Sequence, residues 1–261
     1  YFDHIYIDRY STEVQLEEIQ SLISDAVSVR EGYVDYLFRN ELVAKGALPY
    51  FLEEFYLRLV KAFESGDSKA ILKISADIGH YISDGHVPLH TTINYNGQMT
   101  DQLGIHAFWE SRLPELFADE SYDFIVGKAE YIDDIQTYIW DFIIESHAFL
   151  PDVLDLEKSL SESFPEDQQY CFDERLERTI RTQCREYSEA YHDAMDGMVE
   201  LRMRDAVHAV ASFWYSAWVD GGQPDMDTLD DFELTEEDIE AFKKLENVFK
   251  NFEIKGRDHN N

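Results

Sequence analysis

Cysteine is almost absent from this chain: Cys171 and Cys184 are the only two in 261 residues, so no framework of disulfides can organise the fold. On a single helix the two thiols would stand about 20 Å apart, too far to bridge, and both are expected to be free. Basic residues are also scarce. The 22 Lys and Arg face 54 Asp and Glu, a net charge of −32, which argues against a basic groove for DNA or RNA and leaves polyanions repelled unless a local positive centre intervenes. Long apolar runs are missing as well, since Asp, Glu, Lys or Arg interrupts every apolar stretch before the roughly 20 residues that a membrane span needs, and no transmembrane segment is expected. No signal-peptide pattern stands at the start. The sequence opens at Tyr1 rather than Met, which points to an upstream segment already removed.

What is present suits one buried core: 44% of the residues are apolar and 14% aromatic. Apolar positions recur at helical spacing nearly everywhere, and alternation long enough for a strand is confined to Phe2 to Ile7. The expected fold is therefore all-α, a single multi-helix domain over residues 1–261 with no linker or repeat. The 6 prolines and 12 glycines fall at the natural helix breaks. Helices are predicted at roughly 13–28, 48–65, 68–85, 104–118, 129–148, 153–163, 173–219 and 235–250. Ile71, Ile74, Ile78 and Ile82 form one stripe that must be buried. From Asp225 to Glu240 nine of sixteen residues are acidic, so the region 225–261 reads as a solvated acidic helix; the glycine of a calcium loop is missing.

The chemistry is concentrated in residues 76–117. Four of the nine histidines, His80, His86, His90 and His106, fall within 27 residues where even scatter would place about one. His80 and Asp84 stand four apart, hence one above the other on a helix face, as two ligands to one metal would. His106 and Glu110 repeat the pairing. Gly85 and Pro88 end the first helix and turn the chain, which lets His90 return toward the same centre. A single pair of this kind is ordinarily a histidine beside a nearby acid; two pairs and His90 within 31 residues favour a metal site. Imidazoles and carboxylates suit Zn²⁺, and five donors exceed the three protein ligands of a mononuclear catalytic zinc, so more than one ion is implied, with Asp84 the candidate bridge. The segment Thr91 to Gly104 must border the site, which makes Asn94 and Asn96 candidate substrate contacts. His86 reads as a packing residue, and His147, His192 and His208 as structural. Asp77 could orient a ligand from one turn before His80 but reads more simply as a solvated acid. Arg181 and Arg185, on one predicted helix face, could clamp a phosphate or simply pair with nearby acids.

The pattern His80-x3-Asp84-x5-His90-x15-His106-x3-Glu110, with Pro-Leu-His at 88–90, resembles the metal-binding core of the zinc-dependent phospholipase C and S1/P1 nuclease superfamily. The resemblance implies a mostly helical phosphoric ester hydrolase with clustered Zn²⁺: His80 and Asp84 on a first ion, His90, His106 and Glu110 on a second, and Asp84 reaching a third. It also implies a further upstream His ligand, for which His4 is the only candidate. Metal ligands are thus expected at His4, His80, Asp84, His90, His106 and Glu110, with Asp84 and Glu110 in catalytic roles. Family members begin with a Trp that holds the third zinc and carry another upstream Asp. The sequence from Tyr1 shows neither, so two or three ions are expected according to what precedes it. Glu110 and the short span from His90 to His106 lean toward the phospholipase C branch. The charge of −32 also favours a phospholipid or small phosphodiester over a single-stranded nucleic acid as substrate. The same resemblance implies a secreted or periplasmic location. The competing classes are an S1/P1-type nuclease, a non-catalytic metal-binding scaffold, and a helical interaction module that binds no metal.

Overall fold

The computed structural model describes residues 46–175 and 178–228. The predicted segments at 13–28 and 235–250, the Phe2 to Ile7 alternation and His4 lie outside them.

Helix α1, Leu48–Ser65, starts at Pro49, whose fixed φ and missing N–H suit a first turn, and stops at Gly66 in the left-handed region (φ 68°). Its Leu48, Leu52, Tyr56, Leu59 and Phe63 recur at helical spacing and are buried. Helix α2, Ser68–Gly85, is capped by Asp67, whose carboxylate accepts from the Ala70 N–H at 3.0 Å. Ile71, Ile78 and Ile82 are buried, and Ile74 packs against the same core, as the stripe predicts. The chain then makes a fully buried 3-10 turn, Pro88–Thr91. A long loop leads to a continuous helical stretch formed by Ile105–Ala107, a π-helical turn Phe108–Arg112 and α3, Leu113–Ser121. Helices α4, Ile135–Ala148, and α5, Leu150–Ser163, follow. A hairpin of β1, Tyr170–Arg175, and β2, Arg178–Gln183, leads into α6, Arg185–Ala194, and α7, Met198–Asp220.

Two apolar clusters result. One packs α1, α2 and α4 against Ala209, Phe213 and Ala217 of α7. The other packs Phe108, Trp109, Leu113 and Phe117 against Leu150, Val153, Tyr187, Tyr191 and the Met198 and Val199 end of α7. Helix α7 thus serves both clusters. The turn from α2 into Pro88–Thr91 runs between them, since Ile82 belongs to the first and Val87 and Leu89 to the second.

The all-helical expectation holds for most of the described chain and fails at two places. Residues 129–134 are extended rather than helical: the N–H groups of Glu130 and Ile132 donate to Ser212 and Ser216 Oγ on α7, at 3.1 and 2.9 Å. Asp134 then caps α4 by accepting from Thr137 N–H at 3.0 Å. The predicted helix 173–219 is instead a hairpin and two helices. Strand pairing sets Tyr170 opposite Gln183 and Cys171 opposite Thr182, which brings Cys171 and Cys184 to a Cα separation of 4.9 Å, where they form a disulfide. The expected free thiols are therefore oxidised, because the two cysteines flank the open end of a hairpin rather than lie along a helix. Downstream, Asp196 and Gly197 adopt positive φ (48° and 82°) and divide α6 from α7. Arg181 and Arg185 do not share a helix face: Arg181 lies over the Tyr170 ring from β2, and Arg185 sits beside Glu120 at the start of α6.

Candidate metal centre

Three of the expected ligands converge. His90 comes from the 3-10 turn, His106 from the short helical turn and Glu110 from the π turn. One donor atom from each lies within 4.8 Å of the other two. His90 Nε2 is 3.1 Å from His106 Nε2 and 3.4 Å from Glu110 Oε2, and His106 Nε2 is 2.7 Å from Glu110 Oε2. An ion held tetrahedrally at about 2.0–2.1 Å by nitrogen and oxygen donors separates them by about 3.3–3.4 Å. The observed spacings lie at or a little under that value, so closing on an ion needs only small outward movements.

Each donor is held from behind. The His106 Nδ1 stands 3.0 Å from the Tyr95 carbonyl, a contact that orients the ring with Nε2 facing the cluster. His90 is carried by a turn that Thr91 braces, its hydroxyl donating to the Pro88 carbonyl at 2.6 Å and contacting His147 Nδ1 at 2.9 Å. Glu110 is half-buried; burial alone would raise its pKa, but hydrogen bonds from His106 and His90 and their charge outweigh that and hold the carboxyl below the usual carboxylate range. A π turn inside a helix often marks a functional site, and this one contains Glu110.

His80 and Asp84 form a second pair, with His80 Nε2 3.4 Å from Asp84 Oδ2; the imidazole is largely exposed and the carboxylate buried. They stand outside the three-donor group. Asp84 and Glu110 nevertheless line one cavity of about 210 Å³ between the end of α2, the π turn and α7. His4 lies outside the described residues.

Asn94 and Asn96 hold the loop that delivers His106. Asn94 is buried, donating from Nδ2 to Thr100 Oγ1 and accepting from Met99 N–H through Oδ1, and Asn96 Oδ1 accepts from the Gly104 N–H at 3.1 Å. These contacts give both side chains a role in loop shape. Gly97 supplies the sharp bend at φ 73°, and a Cβ there would collide with the Gln102 backbone.

His86 is a packing residue, as expected. It stacks on Phe142 with centroids 4.5 Å apart, and its Nδ1 is 2.8 Å from the Ile82 carbonyl. Burial, then the Arg202 charge, push its pKa down to about 3, with the Ile82 contact partly opposing, so the ring is neutral. His147, His192 and His208 also make structural contacts, to Thr91, Tyr122 and the Lys128 carbonyl.

Sequence reasoning missed Arg202. Its side chain is 1% exposed and donates to the His86 and Phe142 carbonyls, Ser146 Oγ, Glu145 and Asp205, tying the end of α2 to α4 and α7. The signal was present, since Arg202 falls in register with buried Val199, Ala206, Ala209 and Phe213 on the apolar face of α7. The Tyr95 carbonyl, being backbone, had no signal at all.

Comparison with family models, with curated proteins and with solved structures finds no match to this chain.

Proposed function

We propose that this chain is a zinc-dependent phosphoric ester hydrolase of the phospholipase C-like kind, acting on a phospholipid or small phosphodiester. The observation that carries the reading is the convergence of His90, His106 and Glu110 within 4.8 Å. Two imidazoles and one carboxylate are a donor set of catalytic zinc sites that leaves a position open for water or substrate. A Zn²⁺ ion supplies Lewis acidity toward a phosphoryl oxygen and brings the pKa of water to near neutrality. The chain's own residues prepare for that. The Tyr95 carbonyl holds the His106 ring with Nε2 toward the cluster, the two histidines keep Glu110 ionised, and Asp84, paired with His80, lines the cavity that Glu110 shares.

The charge of −32 favours zwitterionic or small esters, because the acidic surplus opposes the approach of a long polynucleotide. The Cys171–Cys184 disulfide accords with export to an oxidising compartment. The test is hydrolysis of phosphatidylcholine, a small aryl phosphodiester and single-stranded DNA by protein loaded with zinc, against protein stripped by chelation. Zinc-dependent turnover of the first two ahead of the third supports the reading. Faster turnover of DNA would replace it with the nuclease, and no turnover with zinc bound would leave a metal-binding scaffold.

A further inference from the structure

We infer that the cavity beside Glu110 is a binding pocket for a compact apolar group, the size of one aromatic ring, carried on the phosphoryl compound that the candidate metal centre takes. The inference rests on the functional reading above and specifies its substrate class.

The cavity is acidic at one side and apolar elsewhere. Asp84 and Glu110 stand at the metal side, and Val87, Trp109, Pro114, Val199, Met203 and Val207 make most of the remaining wall. Three pieces build it: the end of α2 with Val87, the π turn with the first turn of α3, and the face of α7. Arg202 does not neutralise the pocket, since its guanidinium is committed to the His86 and Phe142 carbonyls, Ser146, Glu145 and Asp205. A free anion therefore finds two carboxylates and no spare cation here, whereas an apolar group finds surface that is otherwise wet. Trp109 is 3% exposed, and its indole Nε1–H has no acceptor among the described residues, a buried donor left unsatisfied.

Volume decides the size of the group. The cavity measures about 210 Å³, and an apolar cavity of about 150 Å³ already takes a benzene molecule. One ring or a short branched chain fits. A pair of long acyl tails does not, and would have to remain outside. Val207, on the α7 wall, is 43% exposed, so a larger side chain there can fill the pocket from its edge; the ligand sits with its apolar end among the α7 side chains and its phosphoryl end toward Glu110.

The experiment has two independent readouts. Fluorobenzene, titrated into zinc-free protein and followed by ¹⁹F NMR, reads the pocket alone: saturable binding that is lost in Val207→Trp supports it, and no saturable binding, or binding unchanged in Val207→Trp, overturns it. Because Val207 is at the surface, the folded state of the variant is checked by its melting curve, and Met203→Phe serves as the second variant if it melts early. Phenylphosphonate and methylphosphonate are then compared on zinc-loaded protein by calorimetry. The phenyl compound is expected to bind at least about tenfold more tightly, from the extra apolar area buried, and Val207→Trp should reduce that ratio toward one. Equal affinity for the two overturns the inference. Binding of both compounds that does not depend on zinc, with the fluorobenzene result intact, would instead overturn the metal-centre reading and leave the pocket standing as an apolar site without a catalytic partner.

Discussion

Arg112, two residues beyond Glu110, donates through Nε to the carbonyl of Gln183 at 3.2 Å, and Gln183 precedes the disulfide-bonded Cys184. The π turn that carries a candidate ligand is thereby tied to a covalently closed hairpin. Closing a loop of this length restricts the unfolded chain and stabilises a fold by about 3 kcal/mol. The double variant Cys171→Ala, Cys184→Ala should lose about that much in denaturant unfolding, with zinc affinity falling less than about tenfold, because Arg112 holds the turn from outside the ligand set. Unchanged stability would show that the hairpin is not cross-linked.

Gly97 bends the loop that presents the Tyr95 carbonyl to His106. Gly97→Ala forces a side chain into the left-handed region and against the Gln102 backbone. A stability loss of about 1–3 kcal/mol is expected, together with weaker zinc binding as the His106 ring loses its fixed orientation. A variant that melts early yet binds zinc normally would separate the loop from the centre.

Arg202→Met should cost about 1–3 kcal/mol, since it strands the His86 carbonyl in the interior, while the Phe142 carbonyl and Ser146 hydroxyl keep the hydrogen bond between them and Glu145 and Asp205 are exposed enough to be rehydrated. Arg202→Lys should recover only part of this, one ammonium being unable to reach all five acceptors. Urea midpoints for the two variants check the ordering.

Asp134 caps the helix that carries Phe142, Ser146 and His147. Hydrogen bonds from Thr137 backbone and hydroxyl lower its pKa from 3.8, with slight burial opposing. A carboxyl whose pKa is depressed by folding stabilises the fold above its unfolded value, and that contribution is lost as the pH falls below 3.8 through the folded value. Asp134→Ala should therefore cost about 1 kcal/mol at pH 7, with the gap from wild type closing on acidification. A gap that persists at pH 2 would assign the loss to something other than the cap.

The candidate three-donor group was legible because its signal is local: His106 and Glu110 four apart, and a Gly and Pro turn that returns His90, need no knowledge of the rest of the chain, whereas His80 and Asp84 carry the same spacing and stand outside the group. Helices α1 and α2 were legible for the same reason, their stripes and stop signals lying within the element. The region after residue 169 was not. Tyr170 to Gln183 carries enough charge and helical spacing to pass as helix, and only the pairing of Cys171 with Cys184 across the hairpin, a contact between separate strands, reveals otherwise. Residues 129–134 were misread because their backbone partners, Ser212 and Ser216, lie over eighty positions away. Asn94 and Asn96 shape the loop that presents the Tyr95 carbonyl to His106, and sequence position does not say whether an amide faces a ligand or its own loop.

The most direct test is zinc content per chain after dialysis, with wild type beside His90→Ala, His106→Ala and Glu110→Gln. Stoichiometric zinc in the wild type is predicted, with affinity reduced in each variant by at least about a hundredfold, the upper end of what losing an outer partner alone costs. Absence of stoichiometric zinc in the wild type, or equal zinc in all four proteins, would contradict the account.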